Sequence, residues 1–252
     1  MADGELLNHV KKFLAESGFP LEIKVAIAFR NKRILVQQAV FYVDVNTGAL
    51  REMDVLAYAR KTMPEHMDRV AVELRMVIEC KRSGQPWLLF IGDERFSRSR
   101  QHFESLDILE YHEAKLVEAR SADDMPVISH VGDVAYRLSS TGQKDNAFPA
   151  VQQVNSAVLG LKRELPARED YRGEPKVVVF VPVIVTDAPL FSCRVNSDGD
   201  IVPEAVDKGL LLTRLRSGDR LQSIWVVNDK GLEDFSRLAR STADFVTAHV
   251  HH

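Results

Sequence analysis

The sequence has few cysteines and no long apolar run. Among its 252 residues only Cys80 and Cys193 are cysteines, which excludes a disulfide framework and a cysteine-rich zinc site. A reducing cytoplasm is therefore the expected compartment. No apolar stretch approaches the ~20 residues that cross a bilayer, and the acidic amino terminus lacks the pattern of a secretory signal. We expect no membrane association.

Charge of one sign is not in excess either. Lys and Arg number 33 and Asp and Glu 36, a formal net charge of −3. A chain-wide basic footprint for nucleic acid is thus absent, although a local basic groove stays compatible with this balance. No glycine-rich phosphate loop occurs. His9, His66, His112 and His130 show no metal-ligand spacing, and the tail His249-Val250-His251-His252 is assigned no function.

Helical and extended patterns alternate along the chain, which predicts one α/β domain over residues 1–252. Residues 120–146 show no regular pattern. Lys176–Thr186 is almost continuously apolar, as a strand buried on both faces is. The further expected strands are Leu21–Phe29, Ile34–Val45, Arg51–Tyr58, Val72–Lys81, Trp87–Ile91 and Leu221–Val227. The expected helices are 5–16, Leu106–Ala119, Phe148–Leu161 and Leu232–Val246.

Charged residues end one of these apolar strands. Side chains alternate along a strand, so Glu79 and Lys81 share a face. Asp54 lies on the preceding strand and can approach Glu79 if the two strands are neighbours. Two carboxylates and a backbone carbonyl form an oxygen site that suits Mg²⁺ or Mn²⁺. A Glu-x-Lys pair on a strand is also compatible with a purely structural salt bridge.

The spacing of these residues resembles a known nuclease motif. Asp54, followed twenty-five positions later by Glu79-Cys80-Lys81, is similar to the PD-(D/E)XK nuclease superfamily, with Met53 where that superfamily often has proline. The resemblance implies a restriction-endonuclease-like fold, a central mixed β-sheet flanked by helices with an αβββαβ core. That core would occupy about residues 5–187, followed by a C-terminal strand and helix at 221–247.

The resemblance also implies roles for individual residues. Asp54, Glu79 and the backbone carbonyl of Cys80 would bind Mg²⁺, with Mn²⁺ as a substitute, and Lys81 would assist the attacking water. Related nucleases place a glutamine on a later helix near the active site, and Gln152 is the candidate here, with an exposed polar residue as the alternative. An additional acidic residue on the first helix would be Glu5.

Two basic clusters are candidates for contacts with the nucleic-acid backbone. They are Arg95, Arg98 and Arg100 in one stretch, and Lys32 and Arg33 in another. The resulting hypothesis is a Mg²⁺-dependent DNA endonuclease in restriction, defence or repair, possible as a homodimer. An RNA-directed nuclease, a catalytically inactive nucleic-acid-binding or sensor module on the same fold, and a plain interaction protein are the alternatives.

Overall fold

The structure is a computed structural model that describes residues 2–62, 70–92, 105–111, 114–116, 124–130, 134–142, 145–165, 176–214 and 221–251. The helices are α1 (Ala2–Glu16), α2 (Phe19–Arg30), α3 (Pro126–Ser129), α4 (Ala147–Glu164) and α5 (Leu232–Ala248). The strands are β1 (Leu35–Val43), β2 (Leu50–Thr62), β3 (Ala71–Lys81), β4 (Trp87–Ile91), β5 (Asp107–Tyr111), β6 (Lys115–Leu116), β7 (Val134–Ser140), β8 (Lys176–Thr186), β9 (Leu190–Val195), β10 (Ile201–Val206), β11 (Lys208–Thr213), β12 (Gln222–Asn228) and β13 (Val250–His251).

Eleven of the strands form one mixed sheet in the order β1-β2-β3-β8-β12-β11-β7-β4-β9-β10, with β5 beside the first half of β8. β3 lies between an antiparallel β2 and a parallel β8. Every residue of β8 is buried, as its apolar run predicts. The prediction of an α/β protein with a central mixed sheet flanked by helices is confirmed.

Helices cover both faces of this sheet. On one face, α2 and α5 pack through side chains such as Val25, Phe29 and Phe235. On the other face, α4 is the helix that packs among the described residues, for example through Val154 and Val158. Residues of β8 alternate between these two apolar cores, because successive side chains of a strand point to opposite faces. The centre of the sheet is therefore shielded from water on both sides.

The predicted strand Leu21–Phe29 is wrong, because these residues form most of helix α2. Leu21, Val25 and Phe29 recur every four residues and are all buried, which is the spacing of a helical face. The Val and Ile content suggested a strand, but packing against the sheet overrides that local preference.

The predicted helix Leu106–Ala119 is also wrong. β5 and β6 form within it, and β5 pairs with the first half of β8, a stretch that β12 does not reach. An unpaired strand edge in the core would leave buried backbone groups unsatisfied, so this distant ladder decides the local structure. The irregular stretch 120–146 likewise contains strand β7, which pairs with β4 and β11.

Helix α4 is positioned by a close contact with the edge strand β1. A Cβ atom on Gly160 would lie 2.7 Å from both Tyr42 Cδ2 and the Val43 carbonyl oxygen. Only glycine allows this approach of helix backbone to strand. The contact fixes α4 over the first strands of the sheet.

We predict that Gly160→Ala lowers the free energy of unfolding by about 1–2 kcal/mol, because overpacking against β1 exceeds the helix-propensity gain of about 1 kcal/mol. Urea denaturation followed by circular dichroism measures the change. Gly84→Ala is the matched control, since its new Cβ meets no atom within 4 Å. Equal stability of the two variants would contradict this packing.

Candidate active site

The ladder between β2 and β3 stops where the charged residues begin. The last pair in this direction is Val55 with Ile78, whereas β3 continues along β8 as far as Lys81 opposite Thr186. By the same register Asp54 would face Glu79. The two strands thus part at this point, and the opening contains Asp54, Glu79 and Lys81.

Strand β2 is irregular at Asp54. Met53 packs in the α4 core and Val55 in the α2–α5 core, although residues two apart on a regular strand share a face. On the neighbouring strand β1, Ala39 lies opposite Asp54 and has a φ of 54°, a left-handed conformation that is uncommon for alanine. The register is the same on both sides of this position, so the feature is a local distortion without an inserted residue, and it redirects the Asp54 side chain.

The Asp54 carboxylate takes the place of the missing ladder bond. Its Oδ2 atom accepts a hydrogen bond of 2.6 Å from the backbone N–H of Cys80. Because N–H and C=O of one residue point to the same side of an extended strand, the Cys80 carbonyl also points toward this opening. The Cys80 side chain packs in the α2–α5 core, where burial raises the pKa of its thiol well above the ordinary range, so the backbone carbonyl is the group that Cys80 offers to this opening.

Glu79 and Lys81 form an ion pair at the end of β3. Lys81 Nζ lies 2.6 Å from Glu79 Oε1, and the Glu79 side chain is only 8% exposed. Burial raises the pKa of Glu79 to about 7, and the negative charge of Asp54 adds to this rise against the opposing effect of Lys81. Burial also raises the pKa of Asp54. Negative charge is therefore in excess in this opening.

A third carboxylate, Glu22 on helix α2, acts on the site through its charge. Burial raises its pKa and the charge of Asp54 raises it further, while the charge of Glu22 in turn raises the pKa values of Glu79 and Cys80. The sequence analysis did not identify Glu22, because it assigned 21–29 to a strand. Helical spacing would have indicated it, since Glu22 follows the buried Leu21 at the edge of an apolar helical face.

The other predicted residues have different surroundings or lie outside the described part of the chain. Glu5 is exposed on α1. Lys32 forms an ion pair with Glu233 at the start of α5, and Arg33 is exposed in the turn after α2 with a φ of 58°. Arg95, Arg98 and Arg100 lie outside the described residues. Gln152, exposed on α4, lines a separate cavity, together with its half-buried neighbour Gln153.

The donor atoms in the opening fit a hard divalent cation in part. Buried carboxylates with raised pKa values gain from a nearby positive charge, and carboxylate and carbonyl oxygens are the ligands that Mg²⁺ prefers. Among the residues that the structure describes, however, no three His, Cys, Asp or Glu side chains are close enough together to hold an ion. The oxygen donors that fit such a cation are therefore the carboxylates of Asp54 and Glu79 together with the backbone carbonyl of Cys80.

The raised pKa of Glu79 predicts a pH-dependent stability. A folded-state pKa of about 7 against an ordinary 4.5 means that the folded protein binds this proton more tightly than the unfolded chain. The associated stability is full below pH 4.5 and lost as the pH rises to 7. We expect Glu79→Gln to reduce this loss by about 3 kcal/mol.

Denaturation midpoints at pH 5 and pH 8 measure this effect. Glu204→Gln, at an exposed glutamate of β10, is the control and should retain the wild-type pH dependence. An unchanged pH dependence in Glu79→Gln would show that Glu79 is not the group responsible.

Comparisons of the chain with protein-family models, with curated proteins and with solved structures find no match. Within the described part of the chain, no helix has the length and apolar character needed to cross a membrane.

Proposed function

We propose that the protein is a Mg²⁺-dependent hydrolase of DNA phosphodiester bonds, an endonuclease. The observation that carries this proposal is the position of Asp54 at the end of the β2–β3 ladder, where it accepts the Cys80 N–H and its charge acts on Glu79. Lys81 is paired to Glu79 at 2.6 Å. Two carboxylates with raised pKa values beside an ammonium group are typical of a site built for chemistry.

The order of elements around this opening supports the proposal. Helix α2 precedes the antiparallel strands β1, β2 and β3, and helix α4 precedes β8, which pairs in parallel with β3. This succession resembles the αβββαβ core of restriction-endonuclease-like enzymes. In the proposed assignment, β4 to β7 are an insertion between β3 and α4.

Each residue has a distinct task in the proposed reaction. Asp54, Glu79 and the Cys80 carbonyl would hold Mg²⁺, with Mn²⁺ as a substitute, and Glu22 adds negative charge from α2. When bound, the ion supplies Lewis-acid stabilisation of charge on the phosphate. Lys81 uses one N–H toward Glu79 and has two further donors. These can orient the attacking water and contact a phosphate oxygen.

The proposed substrate is DNA in the cytoplasm, where both cysteines would stay free as they are here. Lys32, Arg33 and the basic stretch Arg95, Arg98 and Arg100 are the proposed backbone contacts. RNA is the alternative substrate. A homodimer is proposed from the apolar faces of α1 and α2, where Leu6, Phe13, Phe19 and Ile23 are at least half exposed.

An inactive nucleic-acid-binding module on the same fold is the second candidate. The observation in its favour is that, among the described residues, the acidic side chains do not assemble three to a metal site. Incubation with plasmid, linear duplex, single strands and RNA, each with Mg²⁺, Mn²⁺ or EDTA, separates the two. Metal-dependent cleavage supports the hydrolase, whereas binding without cleavage favours the module.

We predict that Lys81→Ala reduces metal-dependent cleavage by at least about a hundredfold, because it removes the only ammonium group paired within the described opening. Initial rates of plasmid nicking measure this loss. Lys230→Ala, at an exposed lysine beyond β12, is the control and should cleave like the wild type. Equal rates for all three proteins would remove Lys81 from the mechanism.

A pair of glutamate variants tests which helix serves the site. We predict that Glu22→Gln weakens Mn²⁺ binding about tenfold, since it removes a charge that acts on Glu79, whereas Glu5→Gln leaves binding unchanged. Isothermal titration calorimetry measures both affinities. The opposite ranking would assign the acidic residue of the first helix to Glu5.

A further inference from the structure

An exposed apolar surface runs along helices α1 and α2. Its five residues on α1 share one helical face and are Leu6, Leu7, Val10, Phe13 and Leu14. Helix α2 continues this surface, because the rings of Phe13 and Phe19 lie 6.3 Å apart. Ile23 and Ile27 follow Phe19 at intervals of four residues and are exposed as well. We call these eight residues the α1–α2 surface.

The size of the α1–α2 surface indicates that another molecule covers it. Its eight side chains are each 42–63% exposed, which at about 90 Å² for each side chain amounts to roughly 700 Å². The largest apolar patch on a typical monomer is about 300–600 Å², whereas each partner in a standard protein interface buries about 800 Å². The area of this surface therefore approaches one half of an interface.

Helix α1 itself needs such a cover. An isolated helix of 15 residues is marginal in water, and in proteins the packing of the apolar face supplies most of the stability of a helix. Residues 4–14 of α1 are all exposed, so the rest of the chain supplies little of that packing. We expect the remaining packing to come from another molecule.

The charges of α1 distinguish a membrane from a protein as this cover. Helices that lie on a membrane surface are rich in Lys and Arg on their polar face. Helix α1 has an excess of negative charge instead, because its two lysines are outnumbered by three acidic residues, Asp3, Glu5 and Glu16. This balance favours a protein surface as the partner.

The apolar residues of α1 are arranged symmetrically about Val10. Leu7 and Phe13 lie three residues to either side of it, and four residues away lie Leu6 and Leu14. Two antiparallel copies of α1 related by a two-fold axis at Val10 therefore bring Leu6 of each copy against Leu14 of the other. In this pairing no charged residue of α1 lies opposite another Asp, Glu, Lys or Arg. The face is thus self-complementary, as a two-fold dimer requires.

We propose that the α1–α2 surface joins two copies of this chain, with their α1 helices antiparallel about a two-fold axis at Val10. The exposed Phe19, Ile23 and Ile27 of α2 extend the contact. This inference rests on the homodimer of the proposed function and specifies how its two copies meet. It does not depend on the cleavage of DNA.

Sedimentation equilibrium of the full chain tests the dimer. Wild type is expected to be dimeric above about 10 µM, since interfaces of standard size bind with micromolar to picomolar affinity. Val10→Glu places two like charges at the axis and is expected to raise the dissociation constant at least about a hundredfold, while glutamate favours the helix as well as valine does. Asn8→Glu, at an exposed position on the opposite side of α1, is the control and should dimerise like wild type.

Disulfide formation with copper phenanthroline as the oxidant tests the orientation. A mixture of Leu6→Cys and Leu14→Cys chains is expected to give a covalent dimer on a denaturing gel. Either variant alone should not, because like residues of antiparallel helices lie about 12 Å apart along the axis at these positions. The native Cys80 and Cys193 are buried, so the same treatment of wild type is the control and should leave it uncrosslinked.

Leu7→Glu is a second variant in case Val10→Glu does not fold. A wild type that stays monomeric at about 100 µM, or dimers that persist in both folded glutamate variants, would overturn the inference. Binding of monomeric wild type to phosphatidylcholine–phosphatidylglycerol vesicles would overturn it in favour of a membrane, and a covalent dimer of Leu6→Cys alone would contradict the antiparallel arrangement. Dimers without metal-dependent cleavage would retain the inference while removing the proposed hydrolase. Cleavage by a monomer would do the reverse.

Discussion

The unequal pairing of β3 on its two sides is the constraint on which the site depends. Toward β8 the ladder extends to Lys81, and toward β2 it stops at Ile78. The backbone N–H of Cys80 is therefore without a strand partner in a buried place, where an unmade hydrogen bond is costly. The Asp54 carboxylate supplies the acceptor. The hydrogen bond that the buried Cys80 N–H requires is thus made by the same carboxylate that is a candidate metal ligand.

This arrangement buries negative charge that the nearby positive charge does not fully compensate. Among the described residues, Lys81 is the cation whose charge acts on both Asp54 and Glu79, while the charge of Glu22 opposes it at Glu79. Burial removes the water that would otherwise screen these charges. The rigid parallel pair β3–β8 holds Glu79 and Lys81 in register, whereas Asp54 depends on the irregularity in β2. Helix α4, set close to β1 by Gly160, covers the face of the sheet on which Tyr42 and Met53 are buried.

Much of the central sheet could be predicted from the sequence, because its signals are local. The apolar run of β8 indicates a strand buried on both faces, and period two puts Glu79 and Lys81 together. Helix α2 was missed because Val25 and Ile27 favour strands when taken alone, and Glu22 was missed with it. β5 could not be foreseen, since its partner lies about seventy positions later in β8.

The amides of α4 show the same limit. On an ideal helix Gln152 lies at the border of the apolar face of α4 and Gln153 lies away from it, whereas the structure exposes Gln152 and half-buries Gln153. The sheet beneath α4 is irregular at Ala39 of β1, so the buried stripe of the helix follows the surface that it packs on and not an ideal helical face. Asn155 falls within the apolar stripe and is buried.

The left-handed conformation of Ala39 affects how readily two copies of the molecule can associate through the edge strand β1. β1 is the outermost strand of the sheet, and Leu35 and Phe41 are more than half exposed on it. A flat apolar edge of this kind invites intermolecular strand addition and aggregation. Ala39 interrupts the edge at its midpoint, so a foreign strand can align with only half of it. The irregularity that orients Asp54 thereby also limits strand addition at the exposed edge of the sheet.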